Sequence, residues 1–308
     1  MTGRIEWSET RPSGAPDDAA ADLEAAALAA VEGGVAARPY YRDDDLGIHH
    51  KRPGDPVTEA DHAANRAILG VLREHRPDDA VRSEESAPPE GVATARRLWV
   101  VDPLDGTKEF IARNGEFAMM VGLAVEGAAR LGAVLKPDPG RLYLGLVDGG
   151  AWVADVRWAG EDADLPPGVA AAVGPFSPLR LPGGRPDTLR MVRSRSHPDP
   201  LITAVTDALG ASEVLSGSVG VKCSLIAEGR ADVYVHPVPF LKEWDTCAPE
   251  AVLRGAGGRV SDCAGRPLTY GKTQPAQPRG IFAARADVWD DAVGLVRDVT
   301  SAKLGVDP

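Results

Sequence analysis

A short apolar run that ends in an acidic turn constrains the fold of this chain most. Residues 98–101 read LWVV and residues 102–107 read DPLDGT. The apolar run predicts a buried strand, and the proline and glycine after it predict a tight turn. Thr107 is suited to cap a short helix. The strand therefore delivers two carboxylates, those of Asp102 and Asp105, to one turn.

The spacing of these two aspartates indicates a metal site. Two carboxylates held close together repel each other and raise each other's pKa unless a cation neutralises them. Oxygen ligands alone favour Mg²⁺, Mn²⁺ or Ca²⁺ over zinc, and a helix N-terminus beside such a metal attracts phosphate. The alternative interpretation is an aspartate-rich turn that only caps a helix.

Three further acidic segments add candidate ligands, each with a simpler alternative. Glu84 belongs to a pair of adjacent carboxylates in residues 83–86 (SEES), and a glutamate pair in a loop is usually just solvated. Asp245 lies at the start of a predicted helix, where aspartate commonly serves as the N-cap. Asp61 lies in the first turn of another predicted helix, where the helix dipole favours an acid.

Basic and hydroxyl residues supply candidates for substrate contacts. Residues 194–197 read SRSH after a strand-like run, and residues 217–222 read GSVGVK, a glycine-bearing segment that ends in a cation. Such a loop can turn backbone N–H groups toward a phosphate, although each segment is a weak signal alone. Residues 265–273 (GRPLTYGKT) lack the spacing of a P-loop, and no G-x-S-x-G elbow supports a serine hydrolase.

The charge balance argues against one class of partner. The 308 residues include 34 lysines and arginines against 45 aspartates and glutamates, which gives a formal charge of −11. This balance disfavours a nucleic-acid polymer as the main partner. It does not disfavour a phosphorylated small molecule, because metal ions reverse the local sign of a site.

Apolar runs and cysteines bear on the compartment. No apolar run reaches the roughly 18–20 residues that a membrane-spanning helix needs, and the first 18 residues lack the apolar core of a secretory signal. The three cysteines, Cys223, Cys247 and Cys263, match neither a zinc pattern nor a CxxC motif. We therefore expect a cytoplasmic protein with reduced cysteines and no membrane contact.

Composition along the chain predicts two mixed halves. A flexible N-terminal tail (1–16) precedes an α+β half (17–158), and a surface excursion rich in Pro, Gly and Asp (159–187) leads to an α/β half (188–308). Periodicity predicts helices over 16–37, 59–74, 200–209, 224–229, 246–255 and 288–300. It predicts strands over 98–101, 117–125, 131–135, 189–192 and 231–235, a hairpin over 142–154, and a loop over 38–56.

Taken together, three motifs resemble those of the Mg²⁺-dependent, lithium-sensitive inositol-monophosphatase-like phosphatase superfamily. They are WVVDPLDGTKEF (99–110), SEE (83–85) and EWDTCAPEAVLRGAGG (243–258), in the order that the superfamily shows. The resemblance covers residues 20–285. It implies a layered α-β-α-β-α sandwich and a hydrolase of phosphate monoesters.

Within the superfamily the chain most resembles the 3′(2′),5′-bisphosphate nucleotidases. It has DGTKEF where inositol phosphatases commonly have DGTxNF, and it has SRSH, GSVGVK and WDTCAPE. The resemblance implies removal of the 3′-phosphate of adenosine 3′,5′-bisphosphate. One alternative is a phosphatase for inositol, sugar or specialised-metabolite nucleoside phosphates on the same scaffold. The alternative of another class is an inert metal- or nucleotide-binding protein.

The resemblance also implies a metal set and a catalytic pair. The metal ligands would be Glu84, Asp102, the backbone carbonyl of Leu104, Asp105 and Asp245. Asp61 and Thr107 match the pair that orients and activates the attacking water. The site would hold two or three Mg²⁺ ions, for which Mn²⁺ could substitute.

Other matched positions imply substrate contacts. These positions would hold the phosphate or the nucleotide, and they are Gly106, Ser194, His197, Ser218, Lys222 and Asp245. The segment HPVPFLK (236–242) precedes the last metal motif and could shape the pocket. The resemblance is also compatible with a homodimer.

Overall fold

Within the residues that the computed structural model describes, the chain forms seven α-helices and sixteen strands. These residues are 4–9, 12–43, 46–52, 55–87, 90–161, 165, 167–196, 199–237 and 240–304, with side chains to residue 301. The helices are α1 (Asp17–Tyr41), α2 (Glu59–His75), α3 (Thr107–Ile111), α4 (Pro200–Leu209), α5 (Val219–Ala227), α6 (Glu243–Gly255) and α7 (Ala286–Leu304). None of these described helices has the length and apolarity that crossing a membrane requires.

The strands fall into two groups along the chain. The first group is β1 (Arg4–Trp7), β2 (His49–Arg52), β3 (Asp55–Val57), β4 (Ala80–Ser83), β5 (Arg97–Asp105), β6 (Ala118–Val125), β7 (Ala128–Lys136), β8 (Arg141–Leu146), β9 (Gly150–Trp158), β10 (Val169–Val173) and β11 (Ser177–Leu179). The second group is β12 (Arg190–Ser194), β13 (Ser212–Ser216), β14 (Val233–His236), β15 (Gly258–Ser261) and β16 (Ile281–Arg285).

Most of these strands build one large and one small sheet. The large sheet has the order β1-β10-β9-β8-β7-β6-β5-β4, and β11 also pairs with β9. It is antiparallel except where β1 meets β10 and where β4 meets β5. The small sheet has the order β13-β12-β14-β16-β15, and β2 and β3 form a separate hairpin. The predicted hairpin over 142–154 is confirmed as β8 and β9.

Alternating side chains place helices on both faces of each sheet. On β5, Trp99 and Val101 join the core formed with α1 and α2, whereas Leu98 and Val100 join the core formed with α5 and α6. This alternation follows from the two-residue repeat of a strand.

The small sheet repeats the arrangement on its own two faces. Val192 and Tyr234 share the core of α5 and α6, and Met191 and Val233 join α7 on the opposite side. The layers are therefore α1 and α2, the large sheet, α5 and α6, the small sheet, then α4 and α7. This order confirms the predicted α-β-α-β-α sandwich.

A row of three glycines seats α6 against the large sheet. Gly122, Gly132 and Gly145 are paired in register across β6, β7 and β8. A Cβ atom on Gly132 would lie 2.5 Å from the Cα of Ala248, and one on Gly145 would lie 2.3 Å from the Cα of Val252. Because no side chain stands between them, α6 lies directly on the strands.

Two stretches predicted to lie outside the core extend the large sheet. Residues 4–7 of the predicted tail form β1, and Ile5 and Trp7 pack against the core. The predicted surface excursion (159–187) contains β10 and β11, which both pair with β9. The structure corrects both expectations for these residues, because strand pairing depends on distant segments that local composition does not reveal. The division into halves at 158 and 188 stays a prediction.

The predicted loop over 38–56 is partly regular. Helix α1 continues through Pro39 to Tyr41, whose ring centroid lies 5.0 Å from that of Phe110 and 4.9 Å from that of Phe117. Residues 49–52 and 55–56 of the stretch belong to the paired strands β2 and β3. Tertiary packing thus extends the helix past a proline that locally predicts its end.

Candidate active site

An irregularity in β5 brings Asp102 and Asp105 to the same face of the large sheet. Asp102 is paired with Met120 and Asp105 with Ala118, so β5 holds one more residue than β6 between these pairs. Residues three apart on a regular strand would face opposite sides. The extra residue shifts the alternation of side chains by one position, so Asp102 and Asp105 face the same side. Pro103, which has no N–H to donate, lies within this bulge. Both carboxylates therefore face the layer that contains α5 and α6.

Helix α6 adds the third carboxylate. Asp245 lies in its first turn, and its Oδ2 accepts a hydrogen bond from the backbone N–H of Lys242. One carboxylate oxygen from each of Asp102, Asp105 and Asp245 lies within 4.8 Å of the others. The structure thus brings together three of the four acidic ligands that the sequence predicts.

Glu84 lies beside this cluster, but its carboxylate contacts a lysine. It follows β4, and its backbone N–H donates to the carbonyl of Val101 at 3.1 Å. The Nζ of Lys51, from β2, donates to Glu84 Oε1 at 2.9 Å and also to Glu85. The fourth predicted carboxylate is therefore paired with a protein cation.

Burial and repulsion make these carboxylates suited to a divalent cation. Burial, and then the charge of Glu84, raises the pKa of both Asp102 and Asp245 well above its usual range. Burial also raises the pKa of Asp105, against the opposing effect of Lys222, and it raises the pKa of Glu84 from 4.5 to about 7. A bound cation would offset these costs, and an all-oxygen donor set suits Mg²⁺ or Mn²⁺. The residues present fit the predicted metal.

Asp61 and Thr107, the predicted catalytic pair, are hydrogen-bonded to each other just beyond the end of β5. The Thr107 hydroxyl lies 3.1 Å from Asp61 Oδ1 and 3.4 Å from the carbonyl oxygen of Leu104. Asp61 Oδ2 accepts from the N–H of Thr58 at 2.8 Å and from its hydroxyl at 2.7 Å. Burial raises the pKa of Asp61, and the bonds from Thr58 oppose that rise. Both oxygens of Asp61 are thereby held in place, and Oδ1 is aimed at Thr107.

Ser218 and Lys222 lie behind Asp105. The Ser218 hydroxyl donates to Asp105 Oδ2 at 2.5 Å and accepts from the N–H of Val221 at 3.1 Å. Lys222 is 3% exposed, and its Nζ donates to the carbonyl of Ser218 at 3.1 Å and lies over the ring of Tyr234. These contacts support Asp105, and the nucleotide contacts predicted for the two residues stay predictions.

The remaining predicted contacts border the same site. Gly106 has a φ of +94°, which favours glycine, and begins α3. Ser194 is buried at the end of β12. The neighbouring Ser196 donates to Glu109 of α3, which brings the SRSH segment to the edge of the site. His197 lies outside the described residues.

Known proteins are similar to this chain in sequence and in architecture. The sequence profile of the inositol monophosphatase family matches residues 18–293. The chain belongs to the inositol monophosphatase family. Because members of this family hydrolyse phosphate esters, the protein is a phosphatase, as predicted.

Several known proteins align with most of this chain. The 3′(2′),5′-bisphosphate nucleotidase CysQ of Escherichia coli K12 is 35% identical over 79% of this chain and 91% of its own length. The 3′-phosphoadenosine 5′-phosphate phosphatase of Mycobacterium leprae is 31% identical over 92% of this chain and 97% of its own. The crystal structure of CysQ from Bacteroides thetaiotaomicron has a TM-score of 0.69 and 32% identity, and the match covers 86% of this chain and 97% of that one.

Two features of this phosphatase's site could not be predicted from the sequence. Lys51 lies in the stretch predicted as a loop, where no pattern marks it. Arg82 and Glu243 form a salt bridge, and they are 3% and 0% exposed. Arg82 lies two residues before Glu84, and Glu243 lies two residues before Asp245. The salt bridge therefore joins the end of β4 to the start of α6. Glu243 belongs to the last motif, but nothing in the sequence identifies its partner.

Proposed function

We propose that this phosphatase removes the 3′-phosphate of adenosine 3′,5′-bisphosphate, giving AMP and phosphate. The observation that carries the proposal is the similarity to the two relatives from E. coli and M. leprae. Both names describe phosphatases of bisphosphate nucleotides, and the alignments cover 79% and 92% of this chain. The acidic cluster supports it, because phosphate ester hydrolysis needs the charge of the transferring group to be neutralised.

The carboxylates of the site would hold Mg²⁺. The ligands we propose are Glu84, Asp102, the carbonyl of Leu104, Asp105 and Asp245. Two or three ions would share these oxygens, and Mn²⁺ could replace them. When bound, such ions supply positive charge to the phosphoryl group and lower the pKa of water. Glu84 would have to exchange its bond with Lys51 for the metal, and Glu85 remains as a partner for that lysine.

Asp61 and Thr107 would orient the attacking water. Because the Thr107 hydroxyl donates to Asp61 Oδ1, its oxygen is free to accept a hydrogen from a water molecule. The water oxygen then forms a bond to phosphorus while the bond from phosphorus to the ribose 3′-oxygen breaks. The proton that the water gives up passes through the Thr107 hydroxyl to Asp61, and the released 3′-oxygen takes up a proton from solvent. No covalent intermediate on the protein is needed.

Substrate contacts are proposed at the edge where α3, β12 and α5 meet. Gly106 and Asp245 would lie near the phosphate, and Ser194 and His197 near the nucleotide. Ser218 and Lys222 were predicted to contact the nucleotide as well, and in the proposed reaction they also hold Asp105. We place this activity in the cytoplasm, and the family resemblance is compatible with a homodimer.

A substrate panel tests the function. Phosphate release is measured with and without Mg²⁺ from adenosine 3′,5′-bisphosphate, inositol 1-phosphate and fructose 1,6-bisphosphate. We expect Mg²⁺-dependent release that is fastest from the bisphosphate nucleotide. Faster release from either other ester would overturn the proposed substrate. No release from any of them, with metal bound, would point to a different substrate or to an inert binding protein.

A variant pair tests the metal role of the cluster. Asp245→Asn should fold but release almost no phosphate, whereas Asp290→Asn serves as the control because Asp290 is 85% exposed and pairs only with Arg259 among the described residues. Near-normal turnover of Asp245→Asn at saturating Mg²⁺ would contradict the proposed ligand set.

A further inference from the structure

A cavity of about 440 Å³ lies beside α5. Its walls are the turn between β7 and β8, the last part of β9, and α5 with its C-terminal cap, which contribute Val221, Leu225 and Glu228. None of its lining residues belongs to the metal set or the catalytic pair. Its volume falls in the range of about 300–1,000 Å³ that is typical of small-molecule sites.

The cavity is positively charged in an acidic protein. Four cationic side chains line it, against the two carboxylates of Asp155 and Glu228. The four are Lys136, Arg141, Arg157 and Arg230. Because the whole chain carries a formal charge of −11, a local excess of two positive charges is a distinct feature of this surface. Such an excess concentrates small anions.

The two carboxylates are already engaged by their neighbours. Asp155 accepts from Arg141 at 2.6 Å. Glu228 accepts from Tyr143 at 2.8 Å, and from Arg141 and Arg230 at 3.3 Å each. Three donors thus surround Glu228, and its charge is shared among them.

Lys136 is left without such a partner. It is half-buried at the end of β7, and among the described residues it makes no hydrogen bond and no ion pair within 4.0 Å. Burial lowers the pKa of Lys136, the carboxylate of Asp138 opposes that effect, and the nearby Arg230 adds to it. A cation in this position gains free energy from an anion that enters the cavity.

We propose that this cavity is a second ligand site, which binds a small organic phosphate or sulfate ester. Lys136 and Arg230 would contact the anionic group, and Val221, Leu225 and the ring of Tyr143 would contact the organic part. The site does not depend on which ester the enzyme hydrolyses.

Helix α5 links this cavity to the metal cluster. Val221 lines the cavity, and its backbone N–H donates to the Ser218 hydroxyl, which in turn donates to Asp105. A ligand that contacts α5 therefore contacts the helix whose N-terminal end holds a metal ligand. We expect occupation of the cavity to change the Mg²⁺ requirement of the enzyme.

Calorimetry with p-nitrophenyl sulfate tests the site. This sulfate ester has no phosphate to release, and EDTA removes the metal ions that would attract an anion to the acidic cluster, so that binding reports on the cavity. We expect one saturable site, weakened at least about tenfold by Lys136→Gln and by Arg230→Gln. Arg96→Gln is the control, because Arg96 is an exposed arginine that pairs with Glu126 outside the cavity. Arg230 is itself 68% exposed, so its replacement should leave folding intact.

The outcomes test the ligand site and its coupling to the metal cluster separately. Binding that is absent, or equal in Lys136→Gln, Arg230→Gln and Arg96→Gln, would overturn the site. With Mg²⁺ restored, p-nitrophenyl sulfate should shift the Mg²⁺ concentration for half-maximal phosphate release at least about twofold in the parent but not in Lys136→Gln. Saturable binding without this shift would support the site and overturn the coupling.

Discussion

Replacing Glu84 with glutamine should stabilise the metal-free protein while it weakens the response to metal. Burial raises the pKa of Glu84 from 4.5 to about 7, so ionising this side chain at pH 8 costs more in the folded protein than in the unfolded chain. At about 1.4 kcal/mol for each pKa unit, that difference amounts to about 3 kcal/mol. The amide of Glu84→Gln carries no charge and avoids this cost.

The pH dependence of this effect has a definite sign. A carboxyl whose pKa is higher in the folded state binds its proton more tightly there, so the parent loses stability as the pH rises through the interval from 4.5 to about 7. The loss is complete above the folded pKa and absent below the unfolded one. The variant should therefore match the parent near pH 4.5 and exceed it by about 3 kcal/mol at pH 8.

Urea denaturation in EDTA at the two pH values measures this difference. Glu126→Gln is the matched control, because Glu126 is 69% exposed and its replacement should change little at either pH. Added Mg²⁺ should raise the free energy of unfolding of the parent and the control more than that of Glu84→Gln, because this variant lacks a proposed ligand of the metal. A variant that is less stable than the parent in EDTA at pH 8, or that gains as much from Mg²⁺, would refute the reasoning.

Three further changes have expected outcomes. Thr107→Val should lower kcat about 10²–10⁴-fold, as loss of a positioned proton-transfer group does, yet keep the Mg²⁺-induced rise in Tm. Steady-state kinetics measure kcat and thermal melts measure Tm. A normal kcat would contradict the proposed role of the hydroxyl. Glu243→Ala should destabilise the protein by about 3–5 kcal/mol, because it leaves Arg82 buried without its partner; an unchanged urea midpoint would disprove this. Gly132→Val should lower the free energy of unfolding by about 1–3 kcal/mol and raise the Mg²⁺ requirement, because the valine side chain would clash with the α6 backbone. Urea denaturation and Mg²⁺ titration measure the two effects. Wild-type values in both would contradict the close packing of α6 on the glycine row.

The local chemistry of the acidic site could be predicted from the sequence. The run LWVV followed by DPLDGT predicts a buried strand and a turn with two carboxylates. The strand is confirmed as β5, but the turn is wrong, because β5 continues through a bulge to Asp105 and both carboxylates lie on the strand. The two other acidic motifs contain Glu84 and Asp245, and the resemblance of the three motifs to a known family implies the family and the layered fold. The buried strand and the helix starts could be predicted because each depends on a few adjacent residues.

The tertiary structure alone decided how these pieces meet. The bulge in β5 appears only once β6 is in register beside it, and the glycine row that seats α6 appears only when three strands align. Lys51 reaches Glu84 across 33 residues and Arg82 reaches Glu243 across 161. A single residue in a long-range pair leaves no periodic pattern in the chain, because its environment is made of segments that only folding brings together.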